Sequence, residues 1–231
     1  MTALADAAME RLQVAFVAAA DPGRAPAMAA YMRDRFPFLG LPTPVQRRAA
    51  RAALGELPPP DEADIVALTA ACWAMPEREY QYAGCDYAIR YWTRAGPGFL
   101  HHTRTLLITK SWWDTVDALA ANVVGPLVRA HPALVTVMDD WIDDDNDWLV
   151  RTAIIHQLHA KDRTDTARLF GYCRRRAADR EFFVRKAIGW ALREYSKTDA
   201  DAVAQFVATH GELSPLSARE ALKWLQRKER V

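Results

Sequence analysis

The stretch ITKSWWDTVDALAANVVGP, residues 108–126, sets the reading of the whole chain. Trp112, Val116, Leu119 and Val123 recur at steps of three and four, the spacing that lines one face of an α-helix. Ser111 offers a hydroxyl at the N-cap and Asp114 a carboxylate three residues on, close to a capping box with Asp in place of Glu. Gly125-Pro126 then reads as a stop. Trp113 and Asp117, four residues apart, share a neighbouring face away from the apolar stripe. An indole and a carboxylate so placed are ordinarily rim packing and a solvated charge, and they are also the first functional candidates in the chain.

The same grammar of short periodic runs between breakers recurs on both sides. Asp21-Pro22-Gly23, Leu41-Pro42-Thr43-Pro44, Pro58-Pro59-Pro60, Met75-Pro76, Gly96-Pro97-Gly98, His131-Pro132 and Ser214-Pro215 separate segments of about 9 to 18 residues. Leu4, Ala8, Leu12 and Ala15 in one segment, and Ile65, Leu68 and Cys72 in another, repeat the helical spacing. Alanine fills 42 positions and isoleucine seven, a balance that favours helix over sheet. Thirteen or fourteen helices joined by loops this short must pack on their chain neighbours. The expected fold is all-α: a right-handed solenoid of HEAT-like helical repeats of about 35 to 40 residues, with a concave face, forming a single domain over 1–231.

Composition narrows the class. With 51% apolar residues in a 231-residue chain, disorder is excluded as the main state. The net charge is +1, but residues 1–150 hold 13 basic against 19 acidic side chains, and residues 151–231 hold 17 against 10. The C-terminal third is therefore a candidate anion-facing surface. Cys72, Cys85 and Cys173 form neither an even disulfide set nor a CxxC pair, which suits a reducing cytoplasm. The opening MTALADAAMERL reads as a helix rather than a signal peptide, and no run of 18 apolar residues exists, so no membrane association is expected.

Further along, Asp147-Trp148-Leu149-Val150-Arg151 places an acid at a helix start and an arginine one turn in. The preceding acidic run, Asp143 to Asp147, lacks the central glycine of a calcium loop and has Ile154 where the twelfth-position glutamate would stand, so it reads as a loop that supplies an N-cap. In residues 181–197, Val184, Ile188, Ala191 and Tyr195 form a core stripe, and Phe183, Ala187 and Trp190 a second, aromatic face. Arg185, Lys186, Arg193 and Lys197 ring the same helix, either as solvated charge or as a phosphate track. His101-His102 and the His156, His159 pair have no evident third ligand. Neither a GxSxG elbow, a Walker loop nor a Rossmann glycine fingerprint occurs, and neither metal nor cofactor is expected.

Taken in order, YMRDRFPFLGLPTP (31–44), EREYQYAG (77–84), ITKSWWDTVD (108–117), DNDWLVRTAIIHQL (145–158), FFVRKAIGWALREYSK (182–197) and SPLSAREALKWL (214–225) resemble the DNA alkylation repair family of HEAT-like-repeat DNA glycosylases, the AlkD type. The resemblance covers nearly the whole chain. It implies excision of cationic alkylated purines, chiefly 3-methyladenine and 7-methylguanine, from double-stranded DNA by a monomer in the cytoplasm, on the nucleoid. It implies Asp117, Trp113 and Trp190 as catalytic residues and Arg151 as a phosphate contact beside the lesion. Tyr31, Lys110, Arg185, Lys186 and Arg193 complete the expected DNA-contacting set. The family commonly has a polar residue just before Thr43-Pro44, where this chain has Pro42.

The chemistry so implied needs only one carboxylate. A purine alkylated at N3 or N7 is cationic and leaves as a neutral base, which makes the general acid of a two-carboxylate glycosidase unnecessary. As the bond breaks, positive charge moves to the deoxyribose, and a carboxylate about 4 Å away is worth roughly 4 kcal/mol at an effective dielectric near 20. That corresponds to about a thousandfold in rate. The rival expectation is a non-catalytic HEAT-like module that binds DNA or protein through its concave face. A carboxylate at the centre of a phosphate-binding groove argues against it.

Overall fold

The computed structural model describes residues 2–228, all helix and loop, with no strand among them. The chain falls into two compact units, Met1–Lys110 and Ser111–Val231. The first contains α1 (Ala3–Ala19), α2 (Ala25–Tyr31), α3 (Thr43–Leu54), α4 (Glu62–Ala74), α5 (Arg78–Tyr91) and α6 (Phe99–Ile108). The second contains α7 (Trp113–Leu119), a π-helical turn (Ala120–Val124), α8 (Gly125–Ala130), α9 (Val135–Trp141), α10 (Asp147–Ile155), α11 (Thr166–Arg175), α12 (Phe182–Tyr195), α13 (Ala200–Thr209) and α14 (Pro215–Lys228). Within each unit helices pack on helices close by in the chain, α1 on α3 and α4, α4 on α5, α10 on α12 and α12 on α14, as in a helical-repeat stack.

In the first unit α1 buries Ala5, Ala8, Met9, Leu12 and Phe16, a stripe rotated slightly from the one expected and including Phe16, whose ring packs 5.2 Å from that of Tyr80. Ile65, Leu68 and Cys72 of α4 are fully buried, as their spacing implied. Asp61 and Asp64 cap α4 reciprocally. The EREYQYAG segment is scaffolding. Buried Glu79 accepts the backbone N–H groups of Leu39, Gly40 and Leu41 at 2.9–3.0 Å, and Gln81 donates to the carbonyls of Cys72 and Met75. Gly40 has φ 89°, and a Cβ there would lie 1.9 Å from the Asp21 carbonyl oxygen, so only glycine fits.

The second unit departs from expectation at two places in residues 111–130. Trp112, not Ser111, occupies the N-cap of α7, so the helix starts one residue later than a Ser111 cap requires. Gly125-Pro126, expected as a stop, lies inside a continuous rod in which α7 passes through the π turn into α8. The Gly125 N–H reaches back five residues to the Ala120 carbonyl. Pro126, which has no N–H to place, then falls in the first turn of α8, where a missing donor costs little. The Asn122 side chain donates to the Ala118 carbonyl at 2.9 Å across the widened turn. Gly125 sits so close to α10 that a Cβ would meet the His156 carbonyl oxygen at 1.9 Å.

Candidate functional site

Asp117 lies in the second turn of α7, and one residue before it Val116 is wholly buried, which fixes the rotation of the helix. Across from it, Arg151 of α10 is buried between core residues Val150 and Thr152. The two meet in a bidentate pair, with Arg151 Nε donating to Oδ1 at 2.6 Å and a terminal guanidinium nitrogen to Oδ2 at 2.7 Å. The other terminal nitrogen donates to the Phe183 carbonyl oxygen of α12 at 2.5 Å. Side-chain exposure is 5% for Arg151 and 15% for Asp117, so the carboxylate is the part of the pair that solvent and ligands reach. Burial pushes the Asp117 carboxyl above the usual carboxylate range, while the hydrogen bonds and charge of Arg151 pull it back down and Asp114 adds a further upward push.

Beneath the pair lies an aromatic floor. Trp112 packs edge-on against Phe183, with ring centroids 4.9 Å apart, and tilted against Trp148 at 5.8 Å, and Trp148 lies 5.0 Å from Phe183. The Arg151 guanidinium is 5.9 Å from the Phe183 ring centre. The sequence shows half of this floor. Its periodicity puts Phe183 on an aromatic face and Trp112 on the core stripe, but that they meet, and that the Phe183 main chain completes the arginine's hydrogen bonding, depends on α7, α10 and α12 converging. Trp113 stands one turn before Asp117 on α7, half-buried. Trp190, also half-buried, is two turns beyond Phe183 on α12, about 10 Å along the axis and on the same face.

The expected phosphate contacts are arranged differently from the sequence reading. The Arg151 guanidinium is turned onto Asp117 and the Phe183 carbonyl instead of outward. Lys186 and Arg193 reach the buried carboxylate of Glu220 on α14 at 2.8 and 2.9 Å, and Lys223 joins them at 2.5 Å. Burial would raise the Glu220 carboxyl, but the hydrogen bonds from Lys186 and Lys223 overcome it and bring the pKa down to about 2. Arg185 donates to the Asp179 carbonyl at 2.6 Å, and Lys110 donates its ammonium to the Met75 carbonyl at 2.6 Å. Tyr31 is 72% exposed. In the acidic run, Asn146 caps α10 through Trp148 N–H and Asp143 pairs with Arg175 at 2.6 Å. His156, half of the histidine pair, is buried with its Nδ1 2.7 Å from the Ala153 carbonyl oxygen.

The fold and site together define an all-helical scaffold with a buried carboxylate–guanidinium pair, the carboxylate its less buried half, beside a cluster of Trp112, Trp148 and Phe183. The sequence pattern of the DNA alkylation repair enzymes matches residues 12–225, and the chain belongs to that family. It is similar to the solved structure of a predicted DNA alkylation repair enzyme from Enterococcus faecalis, at 32% identity over 89% of this chain and 96% of that one, with a TM-score of 0.82. No curated protein sequence matches the chain. Membership makes it a DNA alkylation repair protein, and so one that binds DNA. No helix among the described residues is long and apolar enough to cross a membrane.

Proposed function

We propose that the protein is a DNA glycosylase that hydrolyses the N-glycosidic bond of cationic N3- and N7-alkylated purines in double-stranded DNA, as a step of base excision repair. The observation that carries this reading is the bidentate Asp117–Arg151 pair, in which the carboxylate is the less buried partner. The guanidinium occupies the near lone pair of each carboxylate oxygen and leaves the far ones for a ligand. In the reaction the departing purine takes the bonding electrons and becomes neutral. Asp117 faces the positive charge developing on the deoxyribose and orients the water that attacks its anomeric carbon. Trp113 and Trp190 offer π-faces to the same cation, each worth about 0.5–2 kcal/mol. Arg151 holds the carboxylate ionised and in place, a positioning role in addition to any phosphate contact.

In this reading Tyr31, Lys110, Arg185, Lys186 and Arg193 serve the DNA backbone, and the ion pairs with Glu220 hold the cations of α12 and α14 in a fixed array. The two units act as one HEAT-like-repeat domain, which the family match running across both supports. The protein works as a monomer without a cofactor, on the nucleoid in the cytoplasm, and the lesion stays stacked rather than flipped into a pocket. Incubating the purified protein with duplex DNA carrying 7-methylguanine or 3-methyladenine should release the free base and leave an abasic site. Absence of release, with duplex binding intact, would favour the non-catalytic DNA-binding module.

A further inference from the structure

The five cations expected on phosphates, Arg151, Lys110, Arg185, Lys186 and Arg193, all hydrogen-bond within the protein, whereas other cations stay uncommitted. Helix α3 carries Arg47, Arg48 and Arg51 and no carboxylate. It packs on α5, and between them lies a cleft of about 320 Å³ bounded by Arg47, Arg51, Tyr87, Arg90 and Tyr91, with Asp86 as its single acid. Arg47 is neutralised by Asp86 through two hydrogen bonds of 3.0 and 3.1 Å. Arg51 and Arg90 are exposed and have no carboxylate partner among the described residues. Arg90 lies over the Tyr91 ring, 5.2 Å from its centre. Tyr87 forms a buried floor, its phenol pushed above the usual range chiefly by burial.

We propose that this cleft seats the sugar–phosphate backbone of duplex DNA, with Arg51 and Arg90 as the phosphate ligands. The inference rests on the chain's membership of a DNA repair family and deepens the glycosylase reading by assigning the first unit a contact with the strand. The chemistry is selective. Two guanidiniums from facing helices, one turn of helix beyond an internally neutralised third, leave a concentrated positive charge that suits a phosphodiester. Tyr91 fixes the Arg90 fork from below, so less side-chain entropy is lost when a phosphate arrives. Such contacts position the duplex and read no sequence.

The test measures binding of two unrelated undamaged duplexes across a salt series by the wild type, by Arg51→Gln/Arg90→Gln and by Arg51→Lys/Arg90→Lys. Two lost phosphate contacts should flatten the slope of log affinity against log salt by about 1.8, equally for both duplexes, and the lysine pair should restore it. An unchanged slope, or a loss confined to one duplex, would overturn the assignment. Base release by a wild type whose double variant keeps the full slope removes the cleft and leaves the glycosylase. The expected slope change with no base release does the reverse.

Discussion

At the scale of single residues, the Asp117–Arg151 pair changes what a substitution at the site will do. Asp117→Asn keeps the size of the side chain and removes its charge. In the structure both carboxylate oxygens accept from Arg151, and an amide would set its NH2 against a guanidinium N–H. The variant should lose two to three orders of magnitude in base release, equivalent to about 3–4 kcal/mol, and also destabilise the fold by about 3–5 kcal/mol through an unpaired buried arginine. Asp117→Asn/Arg151→Gln separates the two effects: denaturant unfolding should recover most of the stability while base release stays low. If release recovers with stability, Asp117 is only structural. The pH profile gives an independent measurement. In the glycosylase reading, activity should be present above the Asp117 pKa and lost as pH falls through it, and burial, which raises that carboxyl, should place the limb above the ordinary carboxylate range. Arg151→Gln keeps the burial and removes the opposing charge, so its limb should move to still higher pH. A limb that stays put would show that another group controls it.

Among the elements, the rod formed by α7, the π turn and α8 does most to position the site. Gly125→Ala should be costly, since a Cβ 1.9 Å from the His156 carbonyl oxygen cannot be absorbed by a flexible side chain. We expect a melting temperature lower by several degrees, from a loss of about 1–3 kcal/mol or more. Base release should fall further than stability explains, because α8 pushed off α10 carries α7, and with it Asp117, away from Arg151. Release unaffected per folded molecule would separate the rod from the site. This element also shows what the sequence reveals and what it hides. The stripe Trp112, Val116, Leu119 and Val123 is fully legible and fully buried, because periodicity reports burial directly. The π turn is not legible, because the bond from Gly125 back to Ala120 is one residue longer than the pattern assumes and is held by packing on α10. Asp117 and Arg151 were each legible as off-stripe charges within recognisable segments. Their pairing, across 34 residues, was not.

Across the whole molecule, charge is spread more evenly than the C-terminal third suggests. Residues 1–110 hold 12 basic and 11 acidic side chains, and residues 111–231 hold 18 of each. Acid sensitivity should begin with His156, whose pKa is lowered by burial from 6.5 to about 4. The unfolded chain takes up this proton first, so stability is complete above pH 6.5 and falls toward pH 4, by about 3 kcal/mol. Glu220, depressed to about 2, adds a loss below about pH 4.5. Urea unfolding between pH 7 and 4 checks the first window, and a flat profile there would remove His156 from the account. The evenness of charge extends to the Asp117–Arg151 pair itself. Asp117 and Arg151 together have no monopole. What they present is a dipole whose negative end is the less buried one, and its field fades with distance faster than that of a bare ion. In the glycosylase reading a distant phosphate would be scarcely repelled, while a cation forming on a sugar set against the carboxylate would feel the nearer oxygen end more than the guanidinium behind it. The anion would then be concealed from the intact polyanion and revealed only to the breaking bond.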